Sequence, residues 1–212
     1  MIEQIFSIPI FRDTIDPTIY NKKQIREQIA SNYQKDPHRN VDWGMSELHH
    51  LNSDENNPKF EQLNLEILNN IYKKKIQEYF NTFSADPFGW DFHMCNYTCY
   101  GNSQHISEHI HSGADYVAIH YVKYDPEIHT PTMFVNKSGH IDYIDDIRPD
   151  KPRYDLSDPI HSWLAKFWAF ETKEDDFLIH PALLYHFLPP QKNDDDNLRM
   201  AIVLNISTYD QS

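Results

Sequence analysis

The stretch Arg199-Met200-Ala201-Ile202-Val203-Leu204-Asn205-Ile206-Ser207 decides how this chain is read. Met200, Ile202, Leu204 and Ile206 alternate with Arg199, Ala201, Val203, Asn205 and Ser207. A period of two is the signature of a β-strand with two unlike faces. The first set is a core face. The second mixes small, apolar and polar groups. It either meets solvent or lines a cavity, with the arginine fork at its mouth awaiting a carboxylate. Val203, in the middle, favours the cavity.

Working outward, strand-like segments recur. Trp90 to Tyr97 alternates, Gly101-Asn102 signals a turn, and Ala114 to Tyr124 is a clear strand. Short strands follow at Thr132–Val135, Ala165–Thr172, Phe177–Ile179 and Leu183–Leu188. Asn193-Asp194-Asp195-Asp196-Asn197 reads as a solvated hairpin tip before the last strand. Many short strands between turns indicate a β-sandwich or barrel. Two helices precede it. The first is predicted to open at Asp16-Pro17, with Asp16 as N-cap, and to end before Pro37. The second is predicted from Pro58 to Phe83, with Phe60, Leu63, Ile67, Ile71, Ile76 and Phe80 at helical spacing. Ile5 to Phe11 reads as an edge strand. Gln34 to Asn57 is polar and reads as a loop that Trp43 anchors or opens toward a pocket. The fold class is therefore mainly β with flanking helices. Residues 1–212 form a single domain, with 1–87 as a helical support layer and 88–212 as the barrel. An insertion at about 137–159, carrying Asp142, Asp145, Asp146 and Asp155, is a lid or a surface loop.

Composition narrows the function. The net charge is −13, with 19 basic and 32 acidic residues, which disfavours broad nucleic-acid binding. Lys73-Lys74-Lys75 is the only strong basic run and reads as a solvated helix face. Cys95 and Cys99 are read as two reduced thiols of a cytoplasmic protein. No stretch has the length of a membrane span, and Met1-Ile2-Glu3-Gln4 lacks a basic region followed by a long apolar run, so a soluble intracellular protein is expected.

The candidate chemistry lies in Glu108-His109-Ile110-His111 and Leu184-Tyr185-His186-Phe187-Leu188. With 13 histidines, chance alone predicts ~0.8 His-x-His pairs, so the pair by itself decides nothing. His38, His49, His50, His129, His140 and His161 are read as surface or hydrogen-bonding residues. The order of parts says more. Two imidazoles at a strand end, a third on a late strand and an arginine on the next make a mononuclear metal site facing an anion. Neutral imidazoles leave a bound divalent ion doubly positive, which suits an anionic chelator. His105-Ile106-Ser107-Glu108-His109 also matches a zinc-peptidase pattern, His-x-x-Glu-His. That chemistry needs a helix, and these residues read as turn and strand.

His109-Ile-His-Ser-Gly-Ala-Asp-Tyr-Val-Ala-Ile-His-Tyr-Val122 resembles a group of 2-oxoglutarate/Fe(II) oxygenases common in phages and marine bacteria. Phe6-Ser7-Ile8-Pro9-Ile10 resembles that group's opening, and Trp90, Asn96 and Gly101 its lead-in. Phe177-Leu178-Ile179-His180-Pro181 with His186 and Pro189, and Arg199-Met200-Ala201 with Asn205, resemble its later segments. The resemblance spans nearly the whole chain through loose motifs. It implies a double-stranded β-helix, or jelly roll, binding Fe(II) through His109, His111 and His186. It also implies oxidation of a second substrate coupled to decarboxylation of 2-oxoglutarate to succinate. Arg199 and Tyr97 would hold the 2-oxoglutarate. Three departures stand out. Position 111 is a histidine where the group usually has a carboxylate, so the third ligand is His111 or, with His111 behind it, Asp115. Ala201 lacks the hydroxyl expected after the arginine, a loss of ~1 kcal/mol of hydrogen bonding to the co-substrate. The spacing from Gly101 to His109 is about two residues long. The second substrate, a protein side chain or a small molecule, is not written in the sequence. Neither is the oligomeric state, a homodimer included. A phage-encoded chain would work in the host cytoplasm. The competing readings are a cupin-like three-histidine protein that uses no 2-oxoglutarate and a jelly-roll interaction module with incidental histidines.

Overall fold

A computed structural model describes residues 8–40, 44–52, 57–82, 88–137, 165–194 and 196–210. Ten strands and two helices follow in the order β1 (Phe11–Thr14), α1 (Lys22–Lys35), β2 (His49–Asn52), α2 (Glu66–Asn81), β3 (Phe88–Tyr100), β4 (Ile106–His109), β5 (Tyr116–Lys123), β6 (Met133–Val135), β7 (Phe167–Trp168), β8 (Asp176–Pro181), β9 (His186–Leu188) and β10 (Arg199–Asp210). They make two antiparallel sheets. The larger runs β1-β8-β5-β10-β3-β2 and the smaller β4-β9-β6-β7. This is the expected double-stranded β-helix. Strands β1 and β2 lie on either edge of the larger sheet, so the segment before residue 88 contributes strands as well as helices.

The larger sheet has two working faces. Met200, Ile202, Leu204 and Ile206 of β10 pack with Ile25 and Ile29 of α1 and Leu68, Tyr72 and Ile76 of α2. Each such buried aliphatic contributes about 1.5–3 kcal/mol. Tyr72 stacks on Phe177 at 5.4 Å, and its hydroxyl hydrogen-bonds to His120 Nδ1 at 2.8 Å. On the other face, Val117, Ile119 and Tyr121 of β5 and Ala201 of β10 join Phe134 of the smaller sheet in a second core. The face of β10 that carries Arg199 thus turns into the space between the sheets.

Strand β3 changes sides partway along. Val203 pairs with Asn96 and Leu204 with Met94, which leaves Cys95 as an extra residue, a β-bulge. Before the bulge, Trp90, Phe92 and Met94 pack on the helix-side core; after it, Tyr97 and Cys99 do. The bulge hands the inner face to Asn96, Thr98 and Tyr100. Cys99 is a buried free thiol; the side chain of Cys95 lies outside the described residues.

Several expectations are corrected. Asp16 is not an N-cap: its Oδ1 accepts from the Thr18 backbone N–H and hydroxyl, closing a turn, and α1 begins six residues later at Lys22. Ile19 is accordingly exposed. α2 begins at Glu66, not Pro58. The polar stretch after Gln34 contains β2, which pairs with β3. Of the two alternatives for His49, His50 and His129, burial removes the surface one. His49 Nδ1 donates to the Asp36 carbonyl, and His129 Nε2 donates to that of Asn197. The segment around 193–197 is not a hairpin tip, because β9 and β10 belong to different sheets. Its Asn193 is buried and donates to the Tyr100 and Asn197 carbonyls. Trp43, Phe6, His140, His161 and nearly all of the 137–159 insertion lie outside the described residues. No described helix is long and apolar enough to cross a membrane.

Candidate metal centre

His109 ends β4 and sits directly across the ladder from His186 at the start of β9. Residues opposed in this way have Cβ atoms about 5 Å apart, close enough for two imidazoles to share one ion. His111 lies just past the end of β4, where its backbone N–H donates to the Ala182 carbonyl at 2.9 Å. The three rings therefore converge. Their centroids are 4.3 Å apart for His109–His186, 5.3 Å for His109–His111 and 5.4 Å for His111–His186. One nitrogen from each lies within 4.8 Å of the others.

Each ring also has its tautomer set. His109 Nδ1 meets the Ser107 carbonyl at 2.9 Å, His186 Nδ1 the Leu184 carbonyl at 2.9 Å, and His111 Nδ1 the Asn205 side-chain oxygen at 3.1 Å. An oxygen acceptor at Nδ1 requires the proton there, which makes Nε2 the nitrogen whose lone pair can ligate a metal. Burial, the largest influence on all three, keeps them neutral. It lowers His109, pushes His111 down to about 3 with help from His109 and His180, and pushes His186 well down. His180 stands behind them, its ring 4.9 Å from that of His186, likewise held neutral by burial at about 4.

Asp115 is not part of this group. Its carboxylate is exposed and accepts from the Thr208 backbone N–H at 2.7 Å and from the Thr208 hydroxyl at 2.9 Å. Nor does Tyr97 reach the cavity. The bulge at Cys95 turns it to the helix side, where its hydroxyl accepts from Asn32 Nδ2 at 2.8 Å and meets His49 Nε2 at 3.3 Å. The zinc-peptidase pattern fails because residues 106–109 are strand and Glu108 pairs with Lys137.

Arg199 lines the same cavity as the three histidines. It is only 2% exposed, yet no carboxylate among the described residues pairs with it. One terminal N–H donates to Thr132 Oγ1 at 3.1 Å, and Nε has no partner among the described residues. The rings of Tyr121, Tyr100 and Tyr124 stand 5.2, 5.3 and 5.8 Å from the guanidinium carbon. Thr132 Oγ1 also accepts from the Tyr121 hydroxyl at 3.0 Å. None of the residues lining the cavity is acidic, although the whole chain carries a net charge of −13. Burying a cation without a counterion is costly unless something supplies the charge. An anion in the cavity would supply that charge. The three tyrosines and Thr132 escaped the sequence reading. The alternation of β5, Val117-Ile119-Tyr121, carries the signal for Tyr121, while Thr132 precedes its strand and gives none.

The donor set fits a metal ion: three neutral imidazoles, each with its tautomer fixed and its lone pair turned to a common point. The orphaned guanidinium fits a ligand that bears a carboxylate away from that point.

No family model matches the chain, and no curated protein matches it by sequence. Solved structures do match. The prolyl hydroxylase of Trichoplax adhaerens, in complex with a hypoxia-inducible-factor peptide, superposes with a TM-score of 0.56 at 12% identity, over 96% of this chain and 83% of that one. The α-ketoglutarate-dependent carbocyclase SnoK of nogalamycin biosynthesis gives 0.58 at 13% identity, over 96% and 80%. A Pseudomonas putida prolyl-4-hydroxylase gives 0.51 at 8% identity, over 97% and 95%. In fold, then, the chain is a double-stranded β-helix of the 2-oxoglutarate/Fe(II) oxygenase type.

Proposed function

We propose that this chain is an Fe(II)- and 2-oxoglutarate-dependent oxygenase. One observation carries the reading. Three imidazoles, each with Nδ1 against an oxygen acceptor, share a cavity with a buried guanidinium that pairs with no carboxylate among the described residues. His109, His111 and His186 would hold the metal, and Arg199 the distal carboxylate of 2-oxoglutarate. Bound Fe(II) supplies the open coordination positions at which O₂ is activated and the 2-oxo acid chelated.

The chain's own residues set the conditions. Neutral ligands leave the ion's two positive charges uncompensated, so a dicarboxylate co-substrate balances what a protein carboxylate would otherwise balance in part. Arg199 can meet that co-substrate's far end with parallel N–H donors, which fixes its direction as well as its charge. Thr132 Oγ1 already accepts from Arg199 and Tyr121, so its own proton is left to donate to the same carboxylate. That hydroxyl stands in for the one missing at Ala201. Ile119, Val203 and Leu188 give the cavity apolar walls that exclude water and strengthen these charge contacts. The second substrate is a protein side chain or a small molecule, the two kinds of chemistry named for the similar folds.

The test is anaerobic titration of the metal-free protein with Fe(II) and then 2-oxoglutarate. The expected result is a visible charge-transfer band, with succinate formed once air is admitted. Absence of both overturns the proposal. Metal binding with no 2-oxoglutarate dependence, unaffected by Arg199→Ala, would instead indicate a cupin-like centre.

A further inference from the structure

The three imidazoles are not held alike. His109 and His186 each donate Nδ1–H to the carbonyl two residues earlier in the chain, Ser107 and Leu184. That device is local and follows from the backbone of a strand end. His111 does not use it. It lies beyond β4 and meets a side chain 94 residues away, Asn205, on the cavity face of β10. A free imidazole has no built-in reason to put its proton on Nδ1; a partner must choose.

We propose that Asn205 is a positioning residue of the metal centre, committing His111 to the Nδ1–H tautomer and so turning the Nε2 lone pair to the ion. This rests on the metal reading above. A carboxylate at position 111 would present two equivalent oxygens and need no such choice. Asn205 is thus the counterpart of having histidine there, and the two residues form one functional unit. Strand β10 serves both ends of the pocket, carrying the anion-binding guanidinium at 199 and the tautomer-setting amide at 205 on the same face.

The experiment uses the full chain, metal-free and labelled with ¹⁵N-histidine, followed by Co(II) titration read in the visible spectrum. Long-range ¹H–¹⁵N correlations should show His111 as Nδ1–H in the wild type. Asn205→Leu should convert His111 to Nε2–H or a mixture and weaken Co(II) binding roughly 10–100-fold. Asn205→Asp, which keeps an oxygen acceptor, should preserve both. In a His111→Asp background, Asn205→Leu should change Co(II) affinity by less than about threefold, since interacting residues depart from additivity and uncoupled ones do not. Two results overturn the proposal: Nε2–H at His111 in the wild type, or an Asn205→Leu protein with native spectrum, unchanged tautomer and unchanged affinity. If Asn205→Leu does not fold, the wild-type tautomer and Asn205→Asp still decide. A wild type that binds no Co(II) at all sinks the metal reading, while the tautomer assignment still decides the role of Asn205.

Discussion

Replacing Arg199 by methionine separates what this residue does for the fold from what it does for a ligand. Arg199 is 2% exposed; its guanidinium donates to Thr132 at 3.1 Å, the one such bond among the described residues, and is ringed by three tyrosines at 5.2–5.8 Å. The hydrogen bond of a charged donor contributes about 1.5–3 kcal/mol. Each cation–π contact adds about 0.5–2 kcal/mol. Against them stand a desolvation cost of several kcal/mol and an unpartnered Nε worth about 1–3 kcal/mol. The two sides nearly cancel. Methionine fills similar volume without the charge. The metal-free protein should therefore unfold in urea with a free energy within about 2 kcal/mol of wild type, where breaking a buried ion pair typically costs about 3–5 kcal/mol. Ligand binding has no such cancellation. Removing one partner of a buried charge pair costs about 2–5 kcal/mol, or roughly 30- to 4,000-fold in the Kd of 2-oxoglutarate. Calorimetric titration into the Mn(II)-loaded protein measures it. A Kd within threefold of wild type, or a loss of more than about 4 kcal/mol in stability, refutes the reasoning; the second outcome would make Arg199 a structural brace.

Burial holds His111 and His120 at about 3 and His180 at about 4, all below the ordinary 6.5. The unfolded chain takes up these protons below about 6.5 and the folded chain does not, so stability present above that pH is lost as pH falls toward 4, by up to ~1.4 kcal/mol per pH unit for each histidine. A urea midpoint of the metal-free protein that is the same at about pH 7.5 and 5 would contradict this. Tyr97→Phe should cost about 1 kcal/mol of stability, through the lost bonds to Asn32 and His49, and leave 2-oxoglutarate affinity unchanged; weakened binding with unchanged stability would return Tyr97 to the cavity. Asp115→Asn should leave metal stoichiometry at the wild-type value, whereas His111→Ala should lower it, both read by elemental analysis after dialysis.

How far the sequence could be read depended on whether its alternation ran unbroken. On β10 it does from Arg199 to Ile206, so a core face could be told from a second face, although whether that second face met solvent or a cavity stayed open. The two histidine stretches come together because β4 and β9 pair in the smaller sheet, a neighbour relation that alternation within either stretch does not reveal. On β3 the alternation does not run unbroken. The extra residue at Cys95 reverses the parity with no glycine or proline to announce it, and an uninterrupted count from Trp90 puts Tyr97 on the wrong face. β2 was hidden for another reason. Its His49-His50-Leu51-Asn52 is polar, and polar composition suggests a loop unless the distant acceptors are known. Those acceptors, such as the Asp36 carbonyl for His49, exist only after folding. The turn at Asp16 was likewise a choice between two uses of one carboxylate, and the nearer Thr18 won.

The irregularity in β3 also governs how residues can be exchanged between this chain and others of its shape. Deleting Cys95 would leave Met94 across from Leu204 and Asn96 across from Val203 in an unbroken ladder, so Asn96, Thr98 and Tyr100 would keep the pocket side and Tyr97 and Cys99 the helix side. An alignment that slides past this position without a gap is off by one from there to the end of the strand, and every polar group it assigns to the pocket wall is then its neighbour. Counting across the ladder from Arg199, which faces Tyr100, avoids the error, because that rung lies on the far side of the insertion.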